Sequence, residues 1–329
     1  MVRATQSEID EAVEVLRAGD LVAFPTETVY GLGANAADPA AVAKIFALKG
    51  RPADHPVIVH IDNPRYLHRW VASMPPVAEA LAAKYWPGPL TLILPKADGV
   101  NFVVSGGQNS IGIRIPSHPI AQQLLTAFGG GIAAPSANRY GRLSPTRPEH
   151  VREEFGEAIR VVLDGDESQI GLESTIVSCV DNAARLMRPG SITRSQLERV
   201  VGKLAVGGAL PRAPGDQRLH YAPLTPLELV ATDDLETSAA ELAAADNKVA
   251  VLAMRPPLHA QRHMTWINAG KKSETYAHNL YNHLRVLDRV GAVKILVQTP
   301  PADERWAAIT DRLLRASGLG EQTEDSGAG

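Results

Sequence analysis

Over the first ~200 residues, short apolar runs alternate with stretches of helical periodicity, and no other feature narrows the fold as much. Apolar runs this short and rich in β-branched residues read as buried strands, and the stretches between them as covering helices of an α/β domain. Strands are predicted at 21–24, 57–61, 90–94, 111–115, 131–134, 161–163, 174–180 and 185–187. Helices are predicted at 7–18, 39–49, 76–85, 119–128, 148–155 and 194–201. The second helix is the best punctuated. Asp38 suits the N-cap, Pro39 the first helical position and Gly50 a left-handed C-terminal position. Lys49 therefore sits just inside the stop, and Arg51-Pro52 leaves in an extended direction.

At 329 residues the chain exceeds what one compact core usually holds, which favours two domains. From 202 to 226 the pattern breaks into Gly-Gly, proline turns and an isolated His220-Tyr221 pair, the composition of a linker. Alternation then restarts, with strands expected at 227–230, 249–254 and 293–298 and helices at 235–245, 274–290 and 305–316. That pattern implies a small parallel sheet. The expected division is 1–201, a linker at 202–226, a second domain at 227–318, and a disordered acidic, Gly-rich tail at 319–329.

Several classes of function are disfavoured. A net charge of -3 lacks the basic excess of a nucleic-acid binder, so no stable nucleic-acid binding is expected. The single cysteine, Cys179, excludes an internal disulfide and any multi-cysteine metal site. It lies in an apolar run and reads as a small buried hydrophobe. Glu8, Asp10 and Glu11 stand where a signal peptide would need an apolar stretch, and no run suits a membrane span, so cytoplasmic residence is expected. His259 and His263 have i, i+4 spacing without a third ligand, and no metal site is assigned.

The polar segments are more informative. Pro25-Thr-Glu-Thr-Val-Tyr-Gly-Leu-Gly33 follows an apolar run, and Lys49 and Arg51 come about twenty residues later, an arrangement suited to an anion. Gly31-Leu-Gly33-Ala-Asn-Ala36 has the form of a dinucleotide fingerprint. A dinucleotide fold needs its glycines to open the helix, whereas here the helix is capped later, at Asp38. In Ser110-Ile-Gly-Ile-Arg114-Ile-Pro116, period two puts Ser110, Gly112 and Arg114 on the face opposite three isoleucines. A mid-strand arginine there needs an anion, a wet cleft or a protein carboxylate. The loop from Pro135 to Ser144 offers hydroxyls and backbone N–H groups to phosphate oxygens.

Taken in order, Pro25-Thr-Glu-Thr-Val-Tyr-Gly-Leu-Gly33, Lys49-Gly-Arg51-Pro52, Pro56-Val-Ile-Val-His60-Ile61, Tyr85-Trp-Pro-Gly-Pro89-Leu-Thr91, Gly112-Ile-Arg114-Ile-Pro116, Ala134-Pro-Ser136-Ala-Asn138 and Gly171-Leu-Glu-Ser174-Thr175 closely resemble the YrdC-like threonylcarbamoyl-AMP synthases. The linker Ala213-Pro-Gly-Asp-Gln-Arg-Leu-His220-Tyr221 resembles that of the long form, which ends in a Rossmann-like accessory domain. The resemblance implies a twisted mixed sheet around a basic concave cavity. It also implies the reaction of L-threonine, bicarbonate and ATP, carried with Mg2+, to threonylcarbamoyl-AMP and pyrophosphate. The product would feed tRNA N6-threonylcarbamoyladenosine formation with partner proteins.

By the same resemblance, Thr28, His60, Arg114, Ala134 and Ser174 contact threonine. Arg51, His55, Ser110, Ser136, Asn138, Ser144 and Arg188 contact the nucleotide, and Tyr221 closes over it. Lys49, Arg51 and Arg114 are the expected catalytic cations, with Arg188 helping to offset charge on the phosphates. Where the family commonly has asparagine, this chain has His55. Two rival readings are an RNA-binding module, disfavoured by the charge, and a carbamoyl transferase of the hydrogenase-maturation type, disfavoured by the lone cysteine.

Overall fold

The computed structural model describes residues 4–320 except 209, 216, 218, 245, 260 and 261. In the first part of the chain, helices α1 (Gln6–Arg17), α2 (Pro39–Lys49), α3 (Pro76–Tyr85), α4 (Phe102–Ser105), α5 (Pro119–Phe128), α6 (Pro148–Phe155) and α7 (Arg194–Val201) surround one sheet. Its strands are β1 (Val22–Phe24), β2 (Gly31–Asn35), β3 (Ile58–His60), β4 (Leu90–Pro95), β5 (Ser110–Arg114), β6 (Ile132–Ala133), β7 (Val161–Val162), β8 (Thr175–Ser178) and β9 (Arg185–Arg188). The sheet is mixed, in the order β7-β1-β2-β6-β3-β5-β4-β8-β9.

The helix boundaries follow from local chemistry. Proline opens α2, α3, α5 and α6, where its missing N–H is no loss and its fixed φ already suits a helix. Capping boxes open α1 (Thr5 with Glu8) and α7 (Thr193 with Gln196). Gly50 closes α2 at φ 65°.

The segment 31–36 departs from expectation. It is not a glycine loop: 31–35 form β2, antiparallel to β1 with Phe24 opposite Gly31 and Val22 opposite Gly33. A Cβ on Gly33 would lie 2.8 Å from Ile132 Cγ2 and 2.9 Å from Phe24 Cε1. These glycines admit neighbouring side chains, so the dinucleotide form has a packing origin.

The second part holds β10 (Leu227–Val230), α8 (Leu235–Ala244), β11 (Val249–Ala253), β12 (Met264–Asn268), α9 (Ser273–Asp288), β13 (Lys294–Gln298) and α10 (Ala307–Ala316). Its four strands are all parallel in the order β10-β13-β11-β12. The expected three-strand sheet gains β12, an edge strand whose half-buried side chains carry little apolar signal. The helix expected at 305–316 opens as a 3-10 turn, Glu304–Trp306. Of the tail expected to be disordered, 319–329, residues 321–329 lie outside the described residues, as does residue 245 at the end of the predicted helix 235–245, whereas Leu319 is ordered, its N–H donating to the Leu314 carbonyl at 2.9 Å. No described helix is long and apolar enough to cross a membrane.

The two parts dock closely. Val29, Leu143 and Leu172 of the first share an apolar cluster with Leu280, Leu284 and Ile309 of the second. Around it, Arg285 Nη2 donates to the Leu143 carbonyl at 2.7 Å, and the Ser195 hydroxyl donates to Glu304 at 2.6 Å. Gly171 has φ +80°, and a Cβ there would lie 2.4 Å from the His278 carbonyl oxygen of α9. The linker does not hang free: Ala213 packs with Ile58, Ile93 and Ile176 on the first sheet, and Tyr221 joins the shared cluster.

Candidate functional site

Parallel pairing of β3 with β5 sets His60 opposite Arg114 and fixes the floor of a cavity. Arg114 is buried, and its anion is a protein carboxylate: Nη2 lies 2.7 Å from Glu27 Oε1. Its Nη1 donates to the Thr28 hydroxyl at 2.8 Å, and its Nε to the Gly88 carbonyl at 3.3 Å. Thr26 donates its hydroxyl to the Val29 carbonyl at 2.6 Å, so Thr28, 2.8 Å away, donates to Thr26. The loop after β1 is thereby locked around one arginine. His60 is buried with Nδ1 lacking a partner among the described residues. Burial, helped by the Arg114 charge, pushes its pKa down to about 3, so the ring is a neutral imidazole at pH 7.

The other wall comes from β8, β9 and the linker. Arg188 Nε and Nη2 donate to the Ser174 carbonyl at 3.1 and 3.0 Å, and Nη1 reaches the Pro214 carbonyl at 2.9 Å. Ser174 pairs hydroxyl to hydroxyl with Thr91 at 2.7 Å. Glu173 is buried beside them and receives Ser144 Oγ at 2.5 Å, Tyr281 Oη at 3.0 Å and Arg312 Nε at 2.7 Å. Burial alone would raise its pKa, but the Arg312 and Arg188 charges with the Ser144 bond hold it at about 2. Tyr221 sits over this wall at φ 59°, a left-handed conformation costly for a bulky residue. Its ring centroid is 5.1 Å from the Arg312 guanidinium.

The residues bordering the cavity include Thr28, Arg51, His60, Arg114, Ala134, Ser136, Ser174, Arg188 and Tyr221, all named from sequence. The others stand behind it. Lys49 donates Nζ to the Ser136 carbonyl at 2.5 Å and to that of Asn138, tying down the 136–138 loop. Asn138 braces that loop through the Arg139 and Arg142 carbonyls at 2.7 and 3.0 Å. Ser144 is spent on Glu173, His55 lies 2.7 Å from Gln217 of the linker, and Ser110 is buried at the start of β5. Sequence reasoning missed Glu27, His220, Gly215 and Arg312. Arg312 did carry a signal: helical spacing sets it on the apolar stripe of Ile309, Leu313 and Ala316.

The cavity holds about 50 Å³ of free space, and Pro214, Gly215, His220 and Tyr221 line it from the linker side. That is room for about one or two waters. Gly215, at φ +87°, presses against the Tyr221 hydroxyl; a Cβ there would lie 2.2 Å from it.

Two family models match the chain: one described as telomere recombination, of the Sua5, YciO and YrdC type, over residues 14–190, and one described as threonylcarbamoyl-AMP synthase, C-terminal domain, over residues 192–318. The threonylcarbamoyl-AMP synthase of Pyrococcus abyssi is 39% identical over 329 aligned residues, covering 96% of each chain. That of Bacillus subtilis is 38% identical, covering 94% of this chain and 93% of its own. The crystal structure of the P. abyssi Sua5 complexed with L-threonine covers 96% of both chains at a TM-score of 0.90 and 38% identity.

Proposed function

The chain belongs to the Sua5-type threonylcarbamoyl-AMP synthases, and we propose the following division of that work among its residues. L-Threonine, bicarbonate and ATP give threonylcarbamoyl-AMP and pyrophosphate, in the cytoplasm, for transfer to tRNA by partner proteins. Threonine lies on the floor formed by Thr28, His60, Arg114, Ala134 and Ser174. The nucleotide lies along Arg51, Ser136 and Arg188, with His55, Ser110, Asn138 and Ser144 behind them. The observation that carries this reading is the approach of Arg51, Arg114 and Arg188, from three separate segments, to one concave cavity.

The threonine amine, after losing its ammonium proton, bonds to the bicarbonate carbon as water leaves, and the resulting carbamate oxygen attacks the α-phosphorus of ATP and displaces pyrophosphate. Both reactants are anions, and at 4 Å with an effective dielectric near 20 each unit-charge pair costs about 4 kcal/mol. Arg51 and Arg188 offset that repulsion. Arg114, already balanced by Glu27, orients threonine instead of adding net charge. Lys49, first assigned with the catalytic cations, acts by shaping the 136–138 loop. His60, held neutral, offers a hydrogen bond without repelling the threonine ammonium group. Catalysis here is positioning in a basic site, with no covalent intermediate.

Glu173 on the cavity wall and Glu27 behind Arg114 are both taken by arginines, and no described cluster of His, Cys, Asp or Glu could hold a metal ion. That donor set fits Mg2+ brought in on ATP and held by phosphate oxygens and water, where it would neutralise charge on the leaving pyrophosphate.

The division into 1–201, a lid at 202–226 and 227–318 completes the reading. The free space that remains is smaller than ATP, and on this reading the linker lifts to admit the nucleotide and closes over it with Tyr221. Pyrophosphate release measured with threonine, bicarbonate or ATP omitted in turn tests the reaction: dependence on all three is expected. Release independent of threonine or bicarbonate would overturn it.

A further inference from the structure

The C-terminal domain sends one charged side chain into the other domain's site. Arg312 is only 1% exposed, although it is charged, and it shares the buried face of its helix with Ile309, Leu313 and Ala316. Its Nε donates to Glu173 Oε2 at 2.7 Å, and its Nη1 to the Pro189 carbonyl at 3.1 Å, just past β9, and to Asp311 at 2.6 Å, a carboxylate that also has Arg315 Nε at 3.0 Å. Tyr281 of α9 donates to the same carboxylate. Glu173 is a negative charge on the wall of a cavity that must accept anions. With Arg312, Tyr281 and Ser144 filling its lone pairs, Arg188 beside it binds only the oxygens of Ser174 and Pro214.

We propose that Arg312 is a positioning residue for nucleotide binding in the neighbouring domain: it neutralises Glu173 and so leaves the Arg188 guanidinium facing the cavity. Without Arg312, the buried carboxylate takes Arg188 as its nearest cation and draws it off the phosphates. The C-terminal domain thus contributes to substrate affinity across the domain boundary. The inference rests on Arg188 being a nucleotide contact.

Steady-state pyrophosphate release with ATP and threonine varied separately tests it. Arg312→Met raises KM for ATP by about tenfold or more and moves KM for threonine by less than about twofold. Adding Glu173→Gln removes the competing carboxylate and returns KM for ATP to within about threefold of the parent. Equal losses for both substrates, or a double variant as poor as the single, would mean general loosening and overturn the proposal. If Arg312→Met does not fold, the double variant alone decides, since it leaves no unpaired charge. Its KM for ATP stays near the parent value, whereas a loss matching Arg188→Ala overturns the proposal. Arg188→Ala separates the two claims. An unchanged KM for ATP in that variant removes the nucleotide reading itself, while a raised KM there with a normal Arg312→Met removes only the role of Arg312.

Discussion

The two halves of the cavity are built by different means. The floor around His60 and Arg114 stands on paired strands and binds its arginine within one domain, through Glu27 and Thr28, with Thr26 bracing Thr28. The opposite wall is assembled from three parts of the chain: β8 and β9, the linker at Pro214 to Tyr221, and Arg312 and Tyr281 of the C-terminal domain. A floor made locally is suited to hold a small substrate in one pose. A wall made from several segments is the side that the proposed lid would open.

Substitutions should separate the halves. The largest effect is expected from Arg51→Ala, which should lower kcat/KM for ATP by about 10²–10³ while circular dichroism reports an intact fold. Near-normal turnover with saturable ATP would remove Arg51 from the site. Thr28→Val strips the acceptor from buried Arg114 Nη1, at about 1–3 kcal/mol. It should depress kcat/KM for threonine by about ten- to a hundredfold and leave KM for ATP alone. Equal effects on both substrates would erase the distinction between floor and wall.

Gly215→Ala puts a methyl group where the linker meets Tyr221, at a backbone angle unsuited to alanine. A loss of about 1–2 kcal/mol in denaturant unfolding is expected, with KM raised for ATP more than for threonine. An unchanged KM for ATP would detach the linker from nucleotide binding.

The remaining effect is in pH and bears on stability alone. His60 in the floor and His220 in the linker are buried with depressed pKa values, by burial first in both cases. The unfolded chain therefore binds protons near pH 6.5 that the folded one refuses, and stability falls as pH drops below that point. For His60 the slope reaches about 1.4 kcal/mol per pH unit and flattens near its folded value of about 3. Glu173, low at about 2, contributes only below about pH 4.5. Thermal melts from pH 7 to 5 should fall, and His60→Gln should reduce the slope; an unaltered slope would mean the ring binds protons alike in the folded and unfolded chain.

Legibility in the sequence followed the same divide. The proline-opened helices and the apolar strands carried their own signals, as did the alternation that sets Arg114 opposite the isoleucines. Strand β2 was lost because its glycines replace the side chains that mark a strand, and β12 because an edge position buries so little. Glu27 lay in view within the first polar segment, but its partner is 87 residues away. Charge pairing at that distance has no local pattern. The linker's seat on the cavity depends on three-dimensional encounter alone.

One contact sets how the enzyme can breathe. At Gly171 the two lobes meet with no space for even a methyl group against the His278 carbonyl. A seam that tight is a poor hinge. On the lid reading proposed above, entry and exit of large molecules would then fall to the linker, and an agent that pins it would stop turnover without touching either lobe.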